Sequence, residues 1–529
     1  MKKALGVLLL AAILALAYWL RVTEPYYISD LPIVPDSAQY AVAGYNLAHG
    51  KGLWIYINDL KLPLNYPCGF PMILALFYMI TDASLHSAIY VVLAFGLLSI
   101  LLVYLFARTV FGTFTALVSA LLLTVAPLYV GYSQVLISDM VSNAFIVLGL
   151  WLAWSAATRE RGRTALWILA GISCGFSATV HMLSGITVVP LLAACLCGAR
   201  GRPREGIRGL AYALGGFIVG FSPVLIYNLM AFGSVCTTGY EYWARWGEGQ
   251  SNFSLSYALS NTAVSERGDG RSNITYYLWH FLGLSWPTFF APYFPGILLL
   301  ACVGAFACMG KRGRMERGRF CFASMSVSLV LVTLLLLFFY SFQMSKFFLP
   351  VVPVICVLAA RGVVILLGVF KDSDVKSRLL RVPVAILIAV TAWGCARPFM
   401  DAGIRRHAPT WWYEGMKTLN RIAPRDAVLI SGIDGVYVTH YFIEGTDRSY
   451  VPISREVEYI RQRNLPLPIA GENPGYIGSL LASGKRVYMD GFTFNWWARY
   501  RAELGRRFRF VPVATYYDGQ LHIYELLPR

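Results

Sequence analysis

The residues best placed to do chemistry lie beside long apolar runs. Pro35-Asp36-Ser37-Ala38-Gln39-Tyr40 opens an amphipathic helix that runs to about His49-Gly50. Asp36 is a carboxylate at a helix start, free to face a cavity; with Gln39 it also reads as a capping box, which needs no function. Tyr66-Pro67-Cys68-Gly69-Phe70-Pro71 follows. Its prolines fix φ and its glycine permits a turn, so it reads as a rigid re-entry into the bilayer surface. Asp139 begins a later apolar run, where an acid also complements the helix dipole. His181 ends the next run and Lys346 lies between two more; each also reads as an interfacial or snorkelling side chain. Acids gathered at one membrane face suit chemistry at that face. Coupled transporters instead carry carboxylates nearer mid-membrane.

The elements that must position these residues are membrane helices. The 529-residue chain is 57% hydrophobic and 14% charged, whereas soluble domains are about half apolar and about a quarter charged. A bilayer core takes about 20 apolar residues per helix, and such runs number about eleven. They fall near 4–20, 84–107, 113–131, 139–157, 165–182, 184–198, 210–232, 286–309, 320–341, 347–369 and 382–397. The apolar stretch Phe70–Ile80 is too short to span and reads as interfacial or re-entrant. The net charge of +17 sits in short loops rather than on one face, which excludes a nucleic-acid partner. Lys2/Lys3, Arg108, Arg159/Arg161/Arg163, Arg200–Arg208, Lys311–Arg319 and Lys371–Arg381 mark every second connection as cytoplasmic. That parity puts the N-terminus inside. It puts the loops 21–83 and 233–285, and the C-terminus, outside.

The expected fold is therefore a polytopic α-helical membrane module over 1–397, with a small α/β or α+β domain over 398–529. In the latter, Trp411-Trp412 and a helical stretch to Ile422 precede strand-like runs at 427–431, 487–489, 508–515 and 521–526. Asp518-Gly519 is a hairpin signal between the last two.

Other features carry less. Cysteines lie mostly inside apolar runs, where they act as small hydrophobes; Cys68 and Cys236 fall outside and read as two free thiols or a disulfide. Arg361 is the one charge well inside a span, and it either snorkels or faces the bundle. Trp243, Trp246, Trp279 and Trp286 could stack on sugar rings, although an interfacial aromatic belt explains them as well. Asp372-Ser373-Asp374 resembles a nucleotide-sugar metal motif but sits in a short basic loop, with no domain to hold a nucleotide. No P-loop or dinucleotide motif is present. Sequons at Asn252 and Asn273 are too common a pattern to argue from.

Taken in order, these motifs resemble the GT-C membrane glycosyltransferases, in the branch of protein O-mannosyltransferases and bacterial aminoarabinose transferases. The resemblance rests on the Asp36 helix, the Tyr66–Pro71 element, Asp139, and Lys346 before Leu349-Pro350. It also takes in the series Tyr227-Asn228, Phe232-Gly233-Ser234 and Thr238-Gly239-Tyr240. It implies transfer of a sugar from a polyprenyl-phosphate donor to a lipid, glycan or protein acceptor at the outer face of the plasma membrane. Asp36 and Asp139 take the positions of the family's acids. Lys346, His181, Tyr66 and Tyr40 are expected at the donor phosphate. Lys346 stands where the family commonly has Arg, offering a point charge rather than a fork. Leu64-Asn65 replaces the Glu-Lys pair of the aminoarabinose enzymes, which argues against aminoarabinose transfer to lipid A.

A carboxylate near the acceptor hydroxyl can act as general base. Lys346, His181 or a divalent cation (Mg or Mn) can neutralise the leaving phosphate. One displacement with one base implies inversion. The competing reading is a lipid-linked sugar flippase or polysaccharide exporter, which requires ionisable residues along a path through the membrane. A glycan-binding receptor would instead keep Asp36 and Asp139 far apart as simple caps.

Overall fold

The computed structural model describes residues 2–22, 35–369, 415–431, 449–452 and 474–529, less 58–59, 82–83, 160–161, 200–202, 245–252, 266–269, 286–290, 295, 310–313, 416–417, 420, 497 and 517–518. α1 (Lys2–Val22) is the first apolar run. α2 (Pro35–Ala48) and the antiparallel pair β1 (Ile55–Ile57) and β2 (Leu60–Leu62) lead to α3 (Gly69–Tyr78). The bundle continues through α4 (Leu85–Phe111), α5 (Thr113–Val125), α6 (Pro127–Tyr132), α7 (Asp139–Thr158) and α8 (Arg163–Val180). A 3-10 turn, Met182–Thr187, precedes α9 (Val188–Gly198) and α10 (Pro203–Phe232). The second large loop holds α11 (Gly239–Ala244), α12 (Leu255–Leu259), β3 (Val264–Ser265) and α13 (Asn273–Phe281). Then come α14 (Ile297–Met309), α15 (Arg314–Phe338), β4 (Phe342–Gln343), a 3-10 turn at Ser345–Phe348, and α16 (Val352–Val369).

Six described helices are long and apolar enough to cross a bilayer, and shorter apolar helices fill the other predicted spans as far as Val369. The run at 382–397, like Asp372–Asp374 and Trp411-Trp412, lies outside the described residues.

The run expected as one helix over 113–131 is two, for a local reason. Pro127 has no amide hydrogen for the carbonyl of Leu123; the Ala126 amide donates there instead at 3.4 Å. The Leu128 amide turns away to Ala291 O at 3.3 Å, so Thr124 O lacks its helical donor. Arg21, wholly buried at the end of α1, donates to Thr124 O at 3.4 Å and to Ala17 O at 2.9 Å. A charged side chain thus caps a break in a neighbouring helix.

α8 and α10 pack backbone to backbone. Gly171 and Gly175 on one face Gly216 and Gly220 on the other. A Cβ at Gly171 would lie 2.0 Å from Ala213 O, and one at Gly216 2.2 Å from Ile168 O. Paired small-xxx-small spacing is the usual means of close approach in lipid. Arg361 faces the bundle, its guanidinium 5.7 Å from the ring centre of Phe111.

The C-terminal residues form a five-stranded sheet in the order β6-β5-β7-β9-β8, the strands being β5 (Val428–Ser431), β6 (Ser449–Pro452), β7 (Val487–Met489), β8 (Phe508–Tyr516) and β9 (Leu521–Pro528). β5 pairs in parallel with β6 and β7; β9 pairs antiparallel with β7 and β8. α17 (Pro474–Ala482) precedes β7, while α18 (Gly491–Trp496) and α19 (Ala498–Gly505) follow it. The parallel core with interleaved helices is the α/β alternative of the two expected. β6 carried no strand signal in the sequence reading. Gly519, with φ of 79°, makes the expected hairpin turn. Val428, Ile430, Val487, Met489 and Leu526 form a core on one face of the sheet.

Candidate active site

Asp36 lies in the first turn of α2, which begins at Pro35, one residue before the expected cap. The capping-box expectation gives way here. Gln39 Oε1 is buried with no partner, and the Asp36 carboxylate accepts instead a short hydrogen bond from the Tyr66 hydroxyl. A carboxylate–phenol bond of this kind is charge-assisted and orients the oxygen lone pairs.

What brings Tyr66 there is the Tyr-Pro-x-Gly element. Gly69 starts α3 flush against the end of α8: a Cβ at this position would lie 2.6 Å from the Thr179 carbonyl. From the other side, Gly239 abuts the same segment, its would-be Cβ 2.3 Å from Leu64 O. The Tyr227 hydroxyl accepts from the Leu64 amide at 2.7 Å, and Asn228 donates to Val235 O at 3.3 Å. Tyr227 and Gly239 therefore hold Leu64 and Asn65, while the end of α8 seats Gly69. Their convergence sets the Tyr240 ring 5.6 Å from Tyr66, which lies 5.0 Å from Tyr40.

Tyr40 joins the two acids. Its hydroxyl meets Ser138 Oγ at 3.2 Å, immediately before Asp139. Burial, then the charge of Asp36, pushes the Tyr40 phenol well above its ordinary range, with the hydrogen bond to Ser138 acting in the opposite sense. Tyr240 is raised likewise, by burial first and then by Tyr40, Tyr340 and Tyr66. Both phenols are thus neutral hydrogen-bonding groups. Tyr340 stands within electrostatic reach of Asp36. Tyr240 and Tyr340 are site residues that the sequence reading did not select, although the motif holding Tyr240 had been noted.

Asp139 opens α7 and is nearly buried. His181 Nε2 lies 3.7 Å from Asp139 Oδ1, outside hydrogen-bond range but close enough for an ion pair when the imidazole is protonated. Both line a narrow cleft, together with Asn143, Thr333, Lys346 and Phe347. The neighbouring Ser142 and Ser184 hydroxyls bond each other at 2.6 Å. Lys346 sits on the 3-10 turn between α15 and α16 and has no salt-bridge partner among the described residues.

The structure therefore gathers the predicted residues into two linked groups: Asp36, Tyr66 and Tyr40, and Asp139, His181 and Lys346. Among the described residues no group of three or more His, Cys, Asp or Glu could hold a metal ion.

The remaining sequence candidates resolve differently. Cys68 is buried, Cys236 exposed, and both are free thiols. Asn273 is wholly buried, so its sequon is closed to modification in the folded chain; Asn252, Trp246 and Trp286 lie outside the described residues. Trp279 lies under the Arg271 guanidinium at 4.8 Å.

The fold has counterparts among solved structures, and one stretch of the chain matches a family model. Residues 65–227 match the family model described as dolichyl-phosphate-mannose-protein mannosyltransferase. Among solved structures the chain is similar to ArnT from Cupriavidus metallidurans bound to undecaprenyl phosphate, at 15% identity and a TM-score of 0.67, over 99% of this chain and 98% of that one. It is also similar to the archaeal oligosaccharyltransferase AglB from Archaeoglobus fulgidus in complex with an inhibitory peptide and a dolichol-phosphate, at 13% identity and a TM-score of 0.61, over 99% of this chain and 74% of that one. No curated protein matches the sequence.

Proposed function

We propose that the protein transfers a sugar from a polyprenyl-phosphate donor to an acceptor hydroxyl at the extracytoplasmic face of the plasma membrane. The observation that carries this reading is the convergence, through Tyr40 and Ser138, of the oriented Asp36 carboxylate with the cleft of Asp139, His181 and Lys346. A receptor that used the acids only as caps would need neither link nor cleft.

In the proposed step Asp36 removes the proton of the acceptor hydroxyl. The resulting oxygen forms a bond to the anomeric carbon while the bond from that carbon to the phosphate oxygen breaks. The electron pair leaves with the polyprenyl phosphate, whose charge Lys346 offsets, while the His181 imidazole, held toward its neutral form by burial, offers it a hydrogen bond. A single displacement inverts the anomeric centre. Tyr66 fixes the base, and half-buried Tyr66 and Tyr240 offer ring faces to a sugar. A divalent cation would find Asp139 and His181 but, among the described residues, no third His, Cys, Asp or Glu, so no step is assigned to it. A donor whose tail lies in the bilayer accounts for chemistry with no nucleotide motif. The reading places the N-terminus in the cytoplasm and residues 398–529 outside, where the sheet domain would meet the lipid, glycan or protein acceptor.

The test is transfer of radiolabelled sugar from polyprenyl-phosphate donors in membranes carrying the wild-type chain or Asp36→Asn. Transfer that disappears in the correctly inserted variant supports both the class and the base. Transfer retained in Asp36→Asn removes Asp36 from the mechanism, and no transfer by the folded wild type with any donor favours the flippase reading instead.

A further inference from the structure

The chain that carries Lys346 is held by a set of hydrogen bonds outside the cleft. α15 ends at Phe338 in a tightened turn, the Tyr340 amide donating to Leu337 O at 3.3 Å. Asn273, the first residue of α13 and distant in sequence, ties this turn to the strand beyond it: its Nδ2 donates to Leu337 O at 3.0 Å and to Tyr340 O at 2.6 Å. Its Oδ1 accepts from Gln343 Nε2 at 2.8 Å, and the same Nε2 donates to Arg271 O at 2.6 Å. One turn along α13, the Tyr277 hydroxyl donates to Phe342 O at 2.7 Å and accepts from the Met344 amide at 3.3 Å. β3 adds a short parallel pairing, Val264 to Phe342 and Ser265 to Gln343. The Phe348 ring, on the Lys346 turn itself, meets Tyr277 edge-on at 5.7 Å.

Every one of these contacts but the last falls between Leu337 and Met344, on the segment that enters the Lys346 turn. Asn273 and Gln343 are both wholly buried, and a hydrogen-bonded network in a low-dielectric interior resists displacement. Neither residue lines the cleft. We infer that Asn273 and Gln343 are positioning residues that hold Lys346 at the cleft, which makes the second large loop part of the machinery rather than a cover over it. The inference rests on the reading of Lys346 as a phosphate ligand.

The amide polarity is the feature to test, because a carboxylate of the same shape presents an acceptor to acceptors. Gln343→Glu would set a carboxylate against Arg271 O and Asn273 Oδ1, with the cleft residues unaltered. Tyr277→Phe keeps the ring packing and removes one hydroxyl, which covers the case in which Gln343→Glu fails to fold. The measurement is the affinity of the purified full-length protein for undecaprenyl phosphate, with melting temperature followed in parallel.

Lys346→Gln is expected to weaken binding by about tenfold or more, the scale of a hydrogen bond to a charged group. Gln343→Glu and Tyr277→Phe should each weaken it too, but add nothing once Lys346 is already Gln, since residues acting through one another are not additive. Wild-type affinity in both positioning variants, or losses that multiply with that of Lys346→Gln, overturns the inference. Wild-type affinity in Lys346→Gln itself overturns the phosphate reading and the inference with it.

Discussion

Replacing Gly69 by alanine asks whether the seating of α3 on α8 fixes Tyr66. A Cβ there would lie 2.6 Å from both the carbonyl carbon and oxygen of Thr179, and 2.8 Å from the Val180 amide nitrogen. Ordinary contact begins at 3.4 Å, so α3 must withdraw by ~0.8 Å, the difference between 3.4 and 2.6. The obstacle is the backbone of a buried helix end, which has no rotamer to change. Overpacking of this kind costs about 1–3 kcal/mol. Tyr66 lies only three residues upstream, and displacement of about 1 Å at a positioning group lowers rates by up to roughly 10²-fold. The assay is the initial rate of sugar transfer in proteoliposomes, with melting temperature measured on the same preparation. Gly69→Ala should lose between ten- and a hundredfold in rate, on the same scale, and melt earlier. Gly215→Ala, whose added methyl meets nothing within 4 Å, is the matched control and should change neither. A Gly69→Ala protein with wild-type rate and stability would refute the argument that this contact sets the site.

Three further outcomes follow from the same geometry. Tyr66→Phe removes the hydrogen bond to the Asp36 carboxylate and should lower kcat/KM by roughly 10- to 100-fold, since bonds to charged groups contribute about 1.5–3 kcal/mol; an unchanged value would detach Tyr66 from the base. Tyr40 is held protonated by burial and by Asp36, so the unfolded chain loses that proton first as pH rises past about 10. The stability due to the neutral phenol is thus complete below about pH 10 and lost above it. Melting curves across that range should show the decline, and Tyr40→Phe should lessen it. Gly216→Ala sets a methyl 2.2 Å from Ile168 O and should split α8 from α10, read as a lowered melting temperature; a neutral result would show that the two helices are not held by backbone contact.

Much of the site was legible because its residues are reported by short-range signals. Asp36 at a helix start, the Pro and Gly around Cys68, Asp139 at the head of an apolar run, and Lys346 before Leu349-Pro350 are each readable within a few positions. The break at Pro127 was written in the sequence by the missing amide, and the Gly171/Gly175 and Gly216/Gly220 spacing announced the close helix pair. Both signals are masked by the uninterrupted apolar composition around them. Asn273 had the opposite fate: its sequon is too common a pattern to carry an expectation, while the fold buries its amide against the end of α15.

The sequence by itself determined the membrane helices, their order and the residue types along them, because spanning a bilayer is a local requirement: enough consecutive apolar side chains to cover a helix's own satisfied backbone. The tertiary structure alone decided which polar groups face one another. The Tyr227 hydroxyl meets the Leu64 amide across 163 positions of chain, and Tyr40 reaches Ser138 across 98. No periodicity encodes such pairings. They arise because packing leaves each buried polar group few places to find a partner, and the energy of an unpartnered group inside the bundle selects among them.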